Sequence, residues 1–222
     1  MKEINISTAA TRLRKSPLTK SDTGLSDQFL SEVIRQNDFV QNRDVYFPQG
    51  LATLSLSAVL SAEPRLVTCS ERCSDEVEIN RAVVEETGLD TKILKCIVAD
   101  WVPVEGDFDA IVAIPAYFSS GKINRRYFLD ALVLEAHKIL RPHGEILFVQ
   151  GSTADIERTQ VELDRNGFDF NFVAQKAVSF PEAYLKDTAF MDEIRHIPNA
   201  FEMRNGFHFE TLYAIRAVLA RS

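Results

Sequence analysis

Cysteine is scarce in this chain of 222 residues: Cys69, Cys73 and Cys96 form an odd set without CxxC spacing. The four histidines are scattered and offer no metal-ligand pattern. The thiols therefore read as buried and reduced, and no metal centre is expected. No apolar run approaches the ~20 residues needed to span a bilayer, and the polar N-terminus shows no signal-peptide core. These absences point to a cytoplasmic protein with no membrane span. Positive charge is also in short supply, with a net charge of −7, which argues against broad nucleic-acid binding because phosphates need a positive footprint. Repeats and low-complexity tracts are lacking too. What remains is ordinary globular material, 45% hydrophobic and 26% charged, long enough for one α/β domain with a real core.

The chain divides into residues 1–43 and residues 44–222. In the first part Arg12, Arg14, Lys15 and Lys20 lie among Ser, Thr and proline. Leu25 to Gln36 then reads as one amphipathic helix with Leu25, Phe29, Val33 and Ile34 on one side. This part is expected to be a helical extension packing beside the main domain. From Asp44 the pattern alternates, with strands predicted at 44–48, 65–70, 92–98, 108–114 and 145–151, separated mostly by helix-length segments. Such alternation implies a parallel, doubly wound sheet with helices on both faces. Ser74 followed by Asp75 and Glu76 marks a helix start, with Gly88 as a stop. Further helices are predicted over 124–140, ending at Pro142 and Gly144, and over 154–166, ending at Gly167. Two last strands, 169–178 and 207–217, have no helix after them and are expected to close the sheet as an antiparallel pair. Between them, residues 180–206 carry Phe180, Tyr184, Phe190, Met191 and Phe201, enough apolar surface for a lid or an interface. A homodimer through this aromatic insertion is the expected assembly.

The stretch Asp107 to Gly121, DFDAIVAIPAYFSSG, reads as a buried strand that ends abruptly in Pro115, Tyr117, Ser119, Ser120 and Gly121. In an open α/β sheet, ligands bind beyond the carboxyl ends of the strands, so this loop is a candidate site. The other strand ends add to it. After the first strand, Gly50 stands where a nucleotide-binding turn has its central glycine, with Pro48 and Ala52 at the flanking positions. The second strand finishes in Glu71, 21 residues after Gly50, a carboxylate able to accept from both hydroxyls of a ribose. After the third come Asp100, a candidate acceptor for an adenine amino group, and Trp101, able to cover a flat ring.

With these residues in place, Asp44 to Ala217 resembles the class I S-adenosylmethionine-dependent methyltransferases. The resemblance is to the branch with the protein-glutamine and the N6-adenine or N2-guanine RNA enzymes. It places Tyr46 to Ala52 at the glycine-rich motif, Glu71 at the ribose acid and Asp100 with Trp101 at the adenine site. Ile114-Pro115-Ala116-Tyr117 falls at the acceptor motif Asn-Pro-Pro-Tyr. It implies a Rossmann-like seven-stranded sheet with an antiparallel final strand, S-adenosyl-L-methionine as cofactor and a small-molecule substrate. Cofactor contacts would come from Tyr46, Gly50, Glu71, Asp100, Trp101, Ile114 and Pro115, with Tyr117 at the reacting centre. The departures are specific: Tyr46 replaces an acid, Pro48 a glycine and Ile114 the asparagine. Isoleucine has no hydrogen-bonding group, so the branch's usual acceptor is not expected here. Phe118 is a further aromatic face for a cation, and Ser119, Ser120 and His208 are candidate polar orienters. Three functions stay open: methyl transfer to a small or medium-sized acceptor, cyclisation or cleavage of S-adenosylmethionine releasing methylthioadenosine, and a non-catalytic binding subunit.

Overall fold

The computed structural model describes residues 23–48, 53–86, 90–99, 101–102, 105–115 and 126–220. The basic cluster 12–20 and the Gly88 stop lie outside them. Helix α1 (Thr23–Arg35) buries Phe29, Leu30, Val33 and Ile34, whose three- and four-residue spacing makes one stripe. Each large side chain removed from water contributes roughly 1.5–3 kcal/mol. The stripe enters the same core as the sheet, so α1 is built into the domain.

Strand β1 (Asp44–Pro48) leads to α2 (Thr53–Ser61), β2 (Leu66–Glu71), α3 (Ser74–Glu86) and β3 (Leu94–Val98). Residues 99–107 then carry the chain to β4 (Phe108–Ala113), which is followed by α4 (Tyr127–Glu135), β5 (Leu140–Gly151) and α5 (Ile156–Arg165). The five strands are parallel. Their near-continuous apolar sequences, such as Val45-Tyr46-Phe47, are those of strands covered on both faces. One face packs with α1 and α2 around Val45, Phe47, Val67, Ala110 and Val112. The other packs with α4 and α5 around Tyr46, Ile111, Ala113 and Phe148.

After Gly167, whose φ of 76° makes the turn that a side chain would strain, come β6 (Phe168–Ser179), α6 (Glu182–Lys186), α7 (Thr188–Ile194), β7 (Glu202–Arg204) and β8 (Phe207–Leu219). Strand β8 runs antiparallel between β5 and β6. The sheet order is β3-β2-β1-β4-β5-β8-β6, with β7 paired to β8 off this path. The fold is thus the Rossmann-like doubly wound sheet with an antiparallel final strand.

One reading needs correction. The helix predicted over 124–140 ends at Glu135, and a short 3-10 turn follows at Ala136–Lys138. Leu140 belongs to β5, because it pairs with Phe108 while the next register pair is Ala110 with Glu145. The extra residues 141–144 bulge out there, with His143 at φ 62°. The insertion after β6 holds two short helices and β7. It closes around its own small core of Phe180, Tyr184, Phe190, Met191, Ile194 and Ala200.

Charge networks fix both sides of this frame. At the amino ends of β1 and β4, Arg65 and Arg141 each bridge Asp44 and Asp109. On the α4–α5 face the buried Arg126 guanidinium donates to Ala154 O, Asp155 O, Thr159 Oγ1, Asp130 and Glu162, tying the two helices together.

Candidate cofactor and acceptor site

From β1 the chain winds outward to β2 and β3, then returns to the other side of β1 as β4. This reversal opens a crevice at the carboxyl ends of β1 and β4, the position at which doubly wound sheets bind ligands. Helix α2 is the first element after β1, and its N-terminal amides would ordinarily receive an anion such as phosphate. Here they are occupied: Asp27 of α1 accepts from Leu54 N at 3.1 Å and from Ser55 N at 2.8 Å, and Ser55 Oγ donates back to Asp27 O at 2.9 Å. A buried carboxylate thus stands where a pyrophosphate would need donors.

Glu71 ends β2 and is buried. Its carboxylate lies 3.9 Å from Cys69 Sγ on the same face. Cys69 in turn faces Cys96 across the β2–β3 ladder, and a hydrogen bond from Cys69 helps push the Cys96 thiol down to about 7. The ladder closes above Glu71 with Ala99 N donating to Glu71 O at 2.9 Å.

Tyr46 has no exposed surface, and its ring stacks on Phe108 at 5.2 Å. Its hydroxyl donates to Trp101 O at 3.0 Å and lies 2.6 Å from Ser70 Oγ. Because a phenol has one proton, Ser70 is the donor of the shorter bond. Burial, opposed by the Ser70 hydrogen bond, raises the Tyr46 pKa above its ordinary value, so the phenol stays protonated. The side chain therefore ties the residues after β3 to β1 and β2. Trp101, also buried, packs against Phe128 at 5.1 Å, and its indole N–H has no partner among the described residues. An unpaired buried donor costs about 1–3 kcal/mol.

On the β4 side, Ile114 is half-buried against the first core, and Pro115 is buried. Gly50, Ala52, Asp100, Tyr117, Phe118, Ser119, Ser120 and Gly121 lie outside the described residues. The structure also places His208, one of the candidate polar orienters, and brings in residues that sequence reading did not single out. Glu210 of β8 is buried and accepts from Thr153 Oγ1 at 2.9 Å. Ser152 Oγ donates to Ala200 O at 2.6 Å and accepts from Thr211 N at 3.0 Å, pinning the insertion to the end of β5. His208 packs between Phe180 at 5.7 Å and Phe201 at 5.2 Å. Asp27 and Glu210 carry no sequence signature, because their partners are 27 and 57 residues away.

The described residues fit the nucleoside end of S-adenosylmethionine. Glu71 supplies a carboxylate at the end of β2, and Trp101 a flat ring after β3 whose N–H has no partner among the described residues. The filled α2 N-terminus suits a cofactor that carries a sulfonium and no phosphate.

No protein-family profile and no curated protein sequence matches the chain. Solved structures do. The YcgJ protein of Bacillus subtilis is similar over 88% of this chain and 99% of its own, at 12% identity and a TM-score of 0.60. The ribosomal protein L11 methylase of Lactobacillus delbrueckii subsp. bulgaricus is similar over 85% and 77%, at 14% identity and a TM-score of 0.55. A third protein, at 12% identity and a TM-score of 0.53 over 85% of this chain and 49% of its own, was solved in complex with SAH. The crossover at β1, the parallel core and the antiparallel β8 make this chain a class I methyltransferase-like fold.

Proposed function

We propose that the chain binds S-adenosylmethionine across the carboxyl ends of β1 to β4 and transfers its methyl group to a small or medium-sized acceptor on the β4–β5 side. The observation that carries this reading is Asp27 on the α2 amides. It leaves those amides unavailable to a phosphate, as suits a cofactor that has none. The SAH complex of a protein with the same fold supports the same cofactor class.

When bound, the cofactor supplies a methyl group already activated by a sulfonium, so the chain needs chiefly to align two reactants and exclude water. Glu71 accepts hydrogen bonds from the ribose hydroxyls. Trp101 would cover the adenine with its ring face. Tyr46 holds the Trp101 backbone in place through the carbonyl. In a full-length preparation, calorimetry is expected to show micromolar SAH binding that Glu71→Ala abolishes. Absence of saturable binding by the parent chain would refute the reading in favour of a non-catalytic subunit.

A second reading rests on Ile114. This residue offers no hydrogen bond to an acceptor, as suits an intramolecular reaction of S-adenosylmethionine that needs no second substrate. Mass spectrometry of products separates the two, since methyl transfer yields S-adenosylhomocysteine whereas cyclisation or cleavage yields methylthioadenosine.

A further inference from the structure

Glu210 is a buried carboxylate to which the reading above gives no task. Along β8, His208, Glu210 and Leu212 alternate onto one face, the face of the first core, where Leu212 is buried. Leu212 pairs with Gly151, the last residue of β5. Glu210 therefore lies beyond the end of β5, on the carboxyl edge of the sheet. Its carboxylate folds back over Gly151, where a Cβ would collide with Oε2, and Thr153 Oγ1 donates to that same oxygen. The neighbouring strand is β4, whose last pair with β5 is Ala113 with Phe148. The next residue, Ile114, packs onto the same core face. A carboxylate and an apolar side chain thus share one face at the carboxyl edge, on the two strands that flank β5.

A carboxylate orients N–H donors and repels anions, and Ile114 adds no polar choice of its own. Beside Glu210, His208 packs with Phe180 and Phe201, and Ser152 fixes Ala200 to this edge. Aromatic faces next to a carboxylate suit an organic cation. We infer that Glu210, seated on Gly151 and held by Thr153, recognises the acceptor, and that the acceptor is an amine with an apolar or aromatic body. The inference rests on the methyl-transfer reading. In the transfer, the bound ammonium first gives one proton to solvent, and the lone pair of the neutral amine then forms the new N–C bond as the C–S bond breaks. Both electrons of the broken bond stay on sulfur, leaving a thioether, and the product ammonium releases its proton to solvent. The Glu210 carboxylate stabilises the positive charge that develops on nitrogen.

The test is calorimetric binding of 2-phenylethylamine and of 2-phenylethanol to the full chain saturated with SAH. The amine is expected to bind at least tenfold more tightly than the alcohol. Glu210→Gln should weaken amine binding about tenfold and leave SAH affinity unchanged. Gly151→Ala, which keeps the charge but displaces the carboxylate, should do the same and covers the case in which Glu210→Gln does not fold. Equal affinity for amine and alcohol, no binding of the amine while SAH binds, or amine binding indifferent to both substitutions would overturn the inference. Failure of SAH itself to bind would instead refute the cofactor reading beneath it.

Discussion

Replacing Tyr46 by phenylalanine removes a single oxygen from a place that water does not reach. The ring remains and so does its stacking on Phe108 at 5.2 Å, so the change isolates the hydroxyl. That oxygen receives the Ser70 hydrogen bond at 2.6 Å and donates to Trp101 O at 3.0 Å. Ser70 can rotate its proton toward another acceptor, whereas the Trp101 carbonyl loses this donor. Two lost bonds, one leaving a carbonyl undersatisfied, cost about 2 kcal/mol. For a chain of this size each kcal/mol shifts Tm by about 2–4 °C, so a fall of about 4–8 °C is expected. If about half of that energy serves to hold Trp101 in its binding position, SAH affinity falls about fivefold as well. Differential scanning calorimetry and binding calorimetry on Tyr46→Phe measure both. A Tm within about 1 °C of the parent would refute the argument that this hydroxyl joins the ends of β1, β2 and β3.

Two other outcomes follow from the charge networks. Asp44 is held below its ordinary 3.8 chiefly by the hydrogen bond from Arg65. For Asp109 burial acts upward, yet the Asp44 amide and Arg141 together bring it below 3.8. A depressed carboxylate contributes stability that is present above its unfolded pKa and disappears as pH falls through the folded one. Melting temperature should therefore hold above about pH 5 and drop below about pH 4, less steeply in Asp44→Asn than in the parent. An unchanged acid slope in Asp44→Asn would contradict this. Arg126→Ala strips a 6% exposed guanidinium from Asp130 and Glu162. A loss of about 3 kcal/mol is expected, read as a Tm fall of about 6–12 °C; a fall below about 2 °C would show that α4 and α5 are joined by apolar packing alone.

Much of the frame was legible in the chain. Asp44–Pro48 reads as a strand at the bounds it adopts, because a short apolar run with turn residues behind it has few other options. The antiparallel close was legible from the missing helix after β8. The helix predicted to reach Leu140 was read too long. Its stripe of Leu129, Val133 and Ala136 simply continues into Leu140, and periodicity cannot show that Phe108 captures Leu140 in a strand pair. Tyr46 looked like a substituted cofactor residue in one dimension, and in three it is a buried brace.

Local sequence determined the order of strands and helices, the carboxylate at the end of β2 and the apolar side chain of Ile114 at the end of β4. These depend on residues near one another in the chain, where spacing and side-chain chemistry are sufficient. Tertiary structure alone decided which distant groups meet: Asp27 on the α2 amides, Thr153 on Glu210 above Gly151, and Tyr46 beneath Trp101. Each is a hydrogen bond across a chain reversal, and its geometry is set by how the sheet winds rather than by any pattern along the sequence.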